Sequence, residues 1–122
     1  MKSEIHRAKA ERIQRSLVRL STQEFEAVIE GAMLAATHWF NVILHECGLQ
    51  PESADVMHAE FIGMGMRRKI ALRAGVAMEA LDEIEYFRTT HVRGDLPEGE
   101  KAAARALACL KVLEQEAARM DT

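Results

Sequence analysis

Apolar residues recur at three- and four-residue steps along most of the chain, the spacing that gathers side chains on one side of an α-helix. Residues 3 to 20 carry a sparse stripe, Ile5, Ile13, Leu17 and Leu20, set among charges. Ser21-Thr22-Gln23-Glu24 has the Ser-x-x-Glu form of a capping box, in which each side chain satisfies the other residue's free backbone N–H. A second helix is therefore predicted from this point to Gly48, which supplies a stop signal. Within it Phe25, Ile29, Met33, Ala36, Phe40 and Ile43 form one stripe and Val28, Ala32, Ala35, Trp39 and Val42 another beside it. A helix apolar on two faces belongs at the centre of the core.

Pro51 is placed to open a third helix containing His58, Phe61 and Ile62, which Gly63-Met64-Gly65 interrupts. Gly75 separates this segment from a helix running from Val76 to about His91, with Ala77, Leu81, Ile84 and Phe87 facing inward. Arg93-Gly94-Asp95-Leu96-Pro97 reads as a loop. The last helix is predicted from Glu98 to Arg119, with Ala103, Ala106, Leu107, Leu110, Leu113 and Ala117 on its core face. The expected fold is all-α: an antiparallel four-helix up-and-down bundle over residues 21–122, with residues 1–20 as an additional basic N-terminal helix or arm. Whether residues 51–75 form one bent helix or two short ones is open at this point.

Composition agrees with that class. Aromatic residues make up 5% of the 122 positions, and Gly and Pro together number nine, which disfavours a sheet protein. No apolar run of about 18 residues and no N-terminal signal segment stand out, so a cytoplasmic protein without a membrane role is expected. Cys47 and Cys109 are far apart and form no Cys-x-x-Cys pair, which predicts two reduced, buried thiols. Four of the seven methionines, Met57, Met64, Met66 and Met78, lie close together, as gap-fillers of an Ala-rich core or as an adaptable partner surface.

The net charge of −3 argues against a surface built throughout for phosphate backbones. Locally, residues 1 to 20 hold six basic residues against two acids, and Arg67, Arg68, Lys69 and Arg73 form a second basic cluster. Both suit a solvated helix face or an anionic partner such as RNA, although neither interleaves the aromatic residues that stack single-stranded bases.

Arg88 and His91, three apart before the loop, share one helical face. An arginine beside an imidazole can hold a phosphodiester and move a proton. The same two residues also suit an ion pair of Arg88 with Asp82, Glu85 or a neighbouring acid, and a His91 that ends its helix. His38 and His45 are two turns apart on the central helix, roughly 10 Å along its axis, too far for one metal ion without ligands from elsewhere. With Glu30, Leu34 and Asn41 they make its least apolar stripe. His45-Glu46 lacks the second His of a zinc helix, and Cys47 or His58 would join only through a contact made by the fold. Hydrogen-bonded interhelical histidines are expected, with no metal and no cofactor.

Several stretches in order carry a family likeness. Ala35-Ala36-Thr37-His38-Trp39-Phe40-Asn41-Val42-Ile43-Leu44, closing at Cys47-Gly48-Leu49, resembles the early helix of HEPN domains. Met57-His58-Ala59-Glu60-Phe61-Ile62 is similar to that family's His and apolar run, and Ala80 to His91 to its helix ending in Arg and a small polar spacer. Leu96-Pro97-Glu98-Gly99-Glu100-Lys101-Ala102 looks like the entry to its last helix. The resemblance spans about residues 21 to 118. It implies an antiparallel helical bundle, a homodimer, and a nucleotide-, RNA- or protein-binding module, in some members part of a toxin–antitoxin or nucleotidyltransferase-associated pair. Family ribonucleases separate their Arg and His by four to six residues, whereas Arg88 and His91 have two between them, so the resemblance favours a non-catalytic module. By the same implication Arg88, His91, Arg93 and Asp95 mark the corresponding surface; by their charge, Arg67, Arg68, Lys69 and Arg73 are further candidate RNA contacts. The alternatives are a divergent metal-independent ribonuclease using Arg88 and His91, and a helical assembly protein that docks through residues 1–20.

Overall fold

A computed structural model describes residues 1–120; residues 121 and 122, which close the predicted domain, lie outside the described residues. The described chain is all-helical, with α1 (Ser3–Leu17), α2 (Phe25–Glu46), α3 (Met64–Phe87) and α4 (Gly99–Arg119). A three-residue 3-10 turn, Ala59–Phe61, precedes α3, and a π-helical turn, Arg88–Arg93, follows it. No strand occurs among the described residues.

The helix with two apolar stripes is the centre. α2 packs against α1, α3 and α4, and α4 packs against α3. Phe40, Ile43 and Leu44 are fully buried, as are Val28, Ile29 and Val42, and burying each such side chain stabilises the fold by about 1.5–3 kcal/mol. By length and composition α2 is apolar enough to cross a membrane, contrary to the expectation of no such stretch; two-thirds of that window is buried inside the fold. Gly48 ends it as predicted. At φ +77° it adopts the left-handed conformation, and Leu49 N–H donates to the Leu44 carbonyl at 2.9 Å.

The predicted capping box forms only in part. Glu24 Oε2 accepts from the Ser21 N–H at 3.1 Å, but Ser21 Oγ accepts from Gln23, and the segment turns before α2 begins at Phe25. The N-terminal segment is a member of the core rather than an arm, with Ala10 and Leu17 buried against its neighbours. Its inward face is Ser3, His6, Ala10 and Leu17; Ile5 and Leu20, predicted on the stripe, are exposed. Trp39 Nε1 donates to Gln14 Oε1 at 2.7 Å, and Gln14 Nε2 donates to Glu114 at 2.6 Å, so one amide ties α1 to both α2 and α4.

No helix starts at Pro51. Its carbonyl accepts from Ala54 in a turn, and an extended segment follows to the 3-10 turn. α3 is broken in the middle: Ala74 has φ −146° and ψ 41°, outside the helical range. Arg67 and Asp82, 15 positions apart, nevertheless form a two-pronged ion pair at 2.9 and 3.3 Å. In a straight helix they would stand roughly 22 Å apart, so the arm 64–73 folds back on 75–87. The break predicted at Gly75 is thus real and sits one residue earlier. Arg67 also donates to the carbonyls of Ala59 and Ile62, clamping the 3-10 turn onto this hairpin.

α4 starts one residue after its predicted start, because Glu98 takes a left-handed φ of 70° and Gly99 packs where a Cβ would stand 2.5 Å from the ring of Phe25. Both cysteines are free, Cys109 buried and Cys47 only half-buried. Of the four neighbouring methionines only Met78 is in the core; Met57 and Met64 are exposed.

Candidate functional site

The least apolar stripe of α2 is the wall of an open cleft of about 480 Å³. Glu30, Leu34, His38 and Asn41 from this helix line it, together with His6 of α1, Asp55, Val56, Met57 and His58 of the following segment, and Arg88. The size and the mixture of apolar walls with a few polar groups match small-molecule sites.

One buried amide sets the geometry. Asn41 is 1% exposed. Its Nδ2 donates to the Val56 carbonyl at 2.8 Å, while its Oδ1 accepts from the Val56 N–H at 2.7 Å. The side chain thus pairs with the segment as a neighbouring strand would, and holds Asp55 over the cleft. Asp55 Oδ1 is 3.1 Å from His6 Nε2 and 2.9 Å from His45 Nε2. The two imidazoles are almost fully enclosed, their side chains being 3% and 2% exposed. On their other sides, His6 Nδ1 is 2.9 Å from His38 Nδ1 and His45 Nδ1 is 2.9 Å from the Gln50 carbonyl. Glu52, three residues before Asp55, accepts from the Ser3 N–H at 2.9 Å and so caps α1, bringing His6 into register. The Met1 amino group lies 3.3 Å from Asp55.

Burial holds the His6 pKa below its ordinary value, against the raising effect of Asp55. Burial likewise lowers that of His38, with the charge of His6 adding to it. Burial would raise the Asp55 carboxyl, but hydrogen bonds from His6 and His45 outweigh it and hold the group below the ordinary range. His6 and His38 are therefore neutral at physiological pH beside an ionised carboxylate. Among the described residues, His6, His45 and Asp55 are the group of cation-binding type, their ligand atoms all within 4.8 Å of one another.

The predicted phosphodiester pair is sent to separate partners. Arg88 lines the cleft but is engaged by Glu30 at 2.9 and 3.1 Å and by Glu85 at 3.4 Å. Burial opposes its charge, yet these acids raise its pKa. His91 is buried, with Nδ1 3.1 Å from the Leu96 carbonyl, where it closes the π-helical turn. These are the ion-pair and helix-ending roles. Arg93 and Asp95 are exposed on the loop beyond; Arg68, Lys69 and Arg73 are exposed on the outer arm of α3, while Arg67 is consumed by its clamp.

The expectation of no metal ligands rested on the separation of His38 from His45. The structure bypasses that separation by inserting His6 between the two rings, with centroids 5.2 Å from His38 and 5.4 Å from His45. His38 is joined to α1 by an interhelical hydrogen bond. Sequence reasoning missed His6 and Asp55. A signal existed for the first: Ser3, His6, Ala10, Ile13 and Leu17 follow three- and four-residue steps and place an imidazole on a core stripe. For Asp55, in a segment without periodicity, there was none. Comparison with protein-family models, with curated proteins and with solved structures gave no match.

Proposed function

We propose that the chain is a helical binding module that takes a small ligand of nucleotide class in the cleft beside α2. The observation that carries this reading is the cleft itself, about 480 Å³ in volume, with Met33, Leu34, Val56 and Met57 offering an apolar wall and Arg88 a cation at its edge. Apolar walls suit a base, and Arg88 suits a phosphate. Nη2 of Arg88 has no acceptor among the described residues, which leaves donors for a ligand. The placement of His91 away from Arg88 favours binding over cleavage by an Arg–His pair. An HEPN-like antiparallel bundle is consistent with the four helices and belongs to the same proposal. Calorimetric titration with nucleoside mono-, di- and triphosphates tests it: saturable binding is expected, abolished in Leu34→Trp, which fills the cleft, and weakened at least tenfold in Arg88→Gln. An absence of saturable binding, or binding indifferent to Leu34→Trp in a folded variant, refutes it.

A second reading, self-association, rests on exposed apolar residues of α3: Leu72 is 88% exposed, Val76 56% and Tyr86 58%. Isolated exposed side chains are ordinary, but Leu72 and Val76 flank the break at Ala74, so an apolar pair is presented where the two arms meet. Light scattering after size exclusion is expected to give a dimer mass that reverts to a monomer in Leu72→Lys; a monomeric wild-type chain refutes this reading.

A further inference from the structure

The geometry points to a divalent metal ion of the zinc class held by His6 Nε2, His45 Nε2 and Asp55 Oδ1, beside the cleft that His6 and Asp55 line. This inference stands apart from the nucleotide reading, because it rests on the ligand cluster and not on the cleft's volume.

The first argument is spacing. Metal bonds to histidine nitrogen and carboxylate oxygen are about 2.0–2.2 Å. Two such ligands at angles between octahedral and tetrahedral then lie roughly 2.9–3.5 Å apart. The two measured separations, 3.1 and 2.9 Å, fall in that range, and the third is within 4.8 Å. Sharing one ion requires the two imidazole nitrogens, within 4.8 Å of one another, to draw together across it.

The second argument is a count of protons. His45 faces two pure acceptors, the Asp55 carboxylate through Nε2 and the Gln50 carbonyl through Nδ1. A neutral imidazole has one N–H and cannot satisfy both. With a cation between Nε2 and Asp55, the count closes: His45 keeps its proton on Nδ1 and donates it to Gln50. His6 keeps its proton on Nδ1 and donates it to His38 Nδ1, while its Nε2 lone pair meets the metal. Each ligand histidine then has the outward hydrogen bond that orients ligating histidines in metalloproteins.

The third argument is rigidity. The ligands come from α1, from the last turn of α2 and from a segment pinned by Asn41, and the Gln50 carbonyl is itself held near the end of α2 by the Gln50 N–H to the Leu44 carbonyl. Three ligands leave positions open toward the cleft, which His6 and Asp55 both line. Such a set of two imidazoles and one carboxylate suits zinc, iron(II) or cobalt(II) better than calcium or magnesium, which prefer all-oxygen sites.

The test is titration of the chelator-treated full chain with Zn(II), Co(II) and Mg(II), read by calorimetry, and by visible absorption for Co(II). One Zn(II) or Co(II) per chain is expected, with Mg(II) not bound. Asp55→Asn and His6→Gln are expected to weaken Zn(II) at least about 100-fold and His38→Gln about 10-fold. Glu79→Gln, exposed on α3 and outside both the cluster and the cleft, should leave affinity unchanged. Nitrogen-15 NMR of the wild-type histidines decides the matter should a variant fail to fold: on Zn(II) addition the Nε2 signals of His6 and His45 move to metal-bound positions. Absence of stoichiometric binding, or binding that leaves those signals unmoved, overturns the inference and leaves a hydrogen-bonded network of His6, His45 and Asp55.

Discussion

Replacing Asn41 with leucine, which has the same branching and number of side-chain heavy atoms, removes the side chain that pairs with the backbone of the segment carrying Asp55. Asn41 makes two bonds to Val56, at 2.8 and 2.7 Å, and a third to the Thr37 carbonyl, which already belongs to the helix. Leucine leaves the Val56 N–H and carbonyl facing an apolar surface. Each lost bond costs about 1 kcal/mol when water can take its place, and up to about 3 kcal/mol when it cannot. Val56 is half-buried, so about 1–2 kcal/mol per group applies, and the loss is about 2–4 kcal/mol in total. For a chain of 122 residues this lowers Tm on the order of 10 °C. Urea unfolding of both proteins measures the loss, and amide exchange at Val56 locates it. The Zn(II) affinity should fall at the same time, although neither His6 nor His45 has been altered. A loss below about 1 kcal/mol, with the Val56 amide still protected, would refute the argument that this amide holds the segment.

Burial raises the Cys109 thiol to about 11, so at about pH 8 it is unreactive, and alkylation of the native protein should label Cys47 alone; mass spectrometry of the peptides reads this directly. The hydrogen bond from Arg105 holds Glu83 below its ordinary 4.5. The pair therefore contributes stability above pH 4.5, and that contribution is lost as pH falls through the depressed folded-state value, so Arg105→Gln should flatten the acid limb of a stability profile. Arg67→Ala removes the clamp on the 3-10 turn; the ion pair is partly exposed, so a loss of about 1–2 kcal/mol is expected in chemical unfolding, mostly from the carbonyl bonds. Gly99→Ala drives a methyl group into the Phe25 ring and should cost about 1–3 kcal/mol by the same measurement.

What the sequence disclosed follows periodicity closely. Both stripes of α2 are buried but for the half-buried Phe25, and the core face of α4 matches residue for residue save the half-buried Leu107. Of the polar stripe, Glu30, Leu34, His38 and Asn41 line the cleft, and His45 bonds to Asp55 behind it. Legibility failed where periodicity stops. Pro51 suits a first helical turn, but the segment after it is committed to bonds with Asn41 and α1, which no local signal announces. Ile5 attracted the α1 stripe because isoleucine outweighs histidine on any hydropathy scale, yet the fold spends that face on His6. Arg88 and His91 share a helical face on paper; the π-helical turn beginning at Arg88 breaks the spacing on which that placement relied.

The fold-back at Ala74 divides the molecule by resistance to opening. Of residues 64–73, only Ile70 is buried, and the arm is fastened chiefly through Arg67. Amides there should exchange through a local detachment that leaves α1, α2 and α4 packed, whereas those around His45 and Leu44 should exchange only with the whole core. The arm is then a separately opening unit, and whatever engages its exposed Leu72 can order or release it without disturbing the histidine cluster.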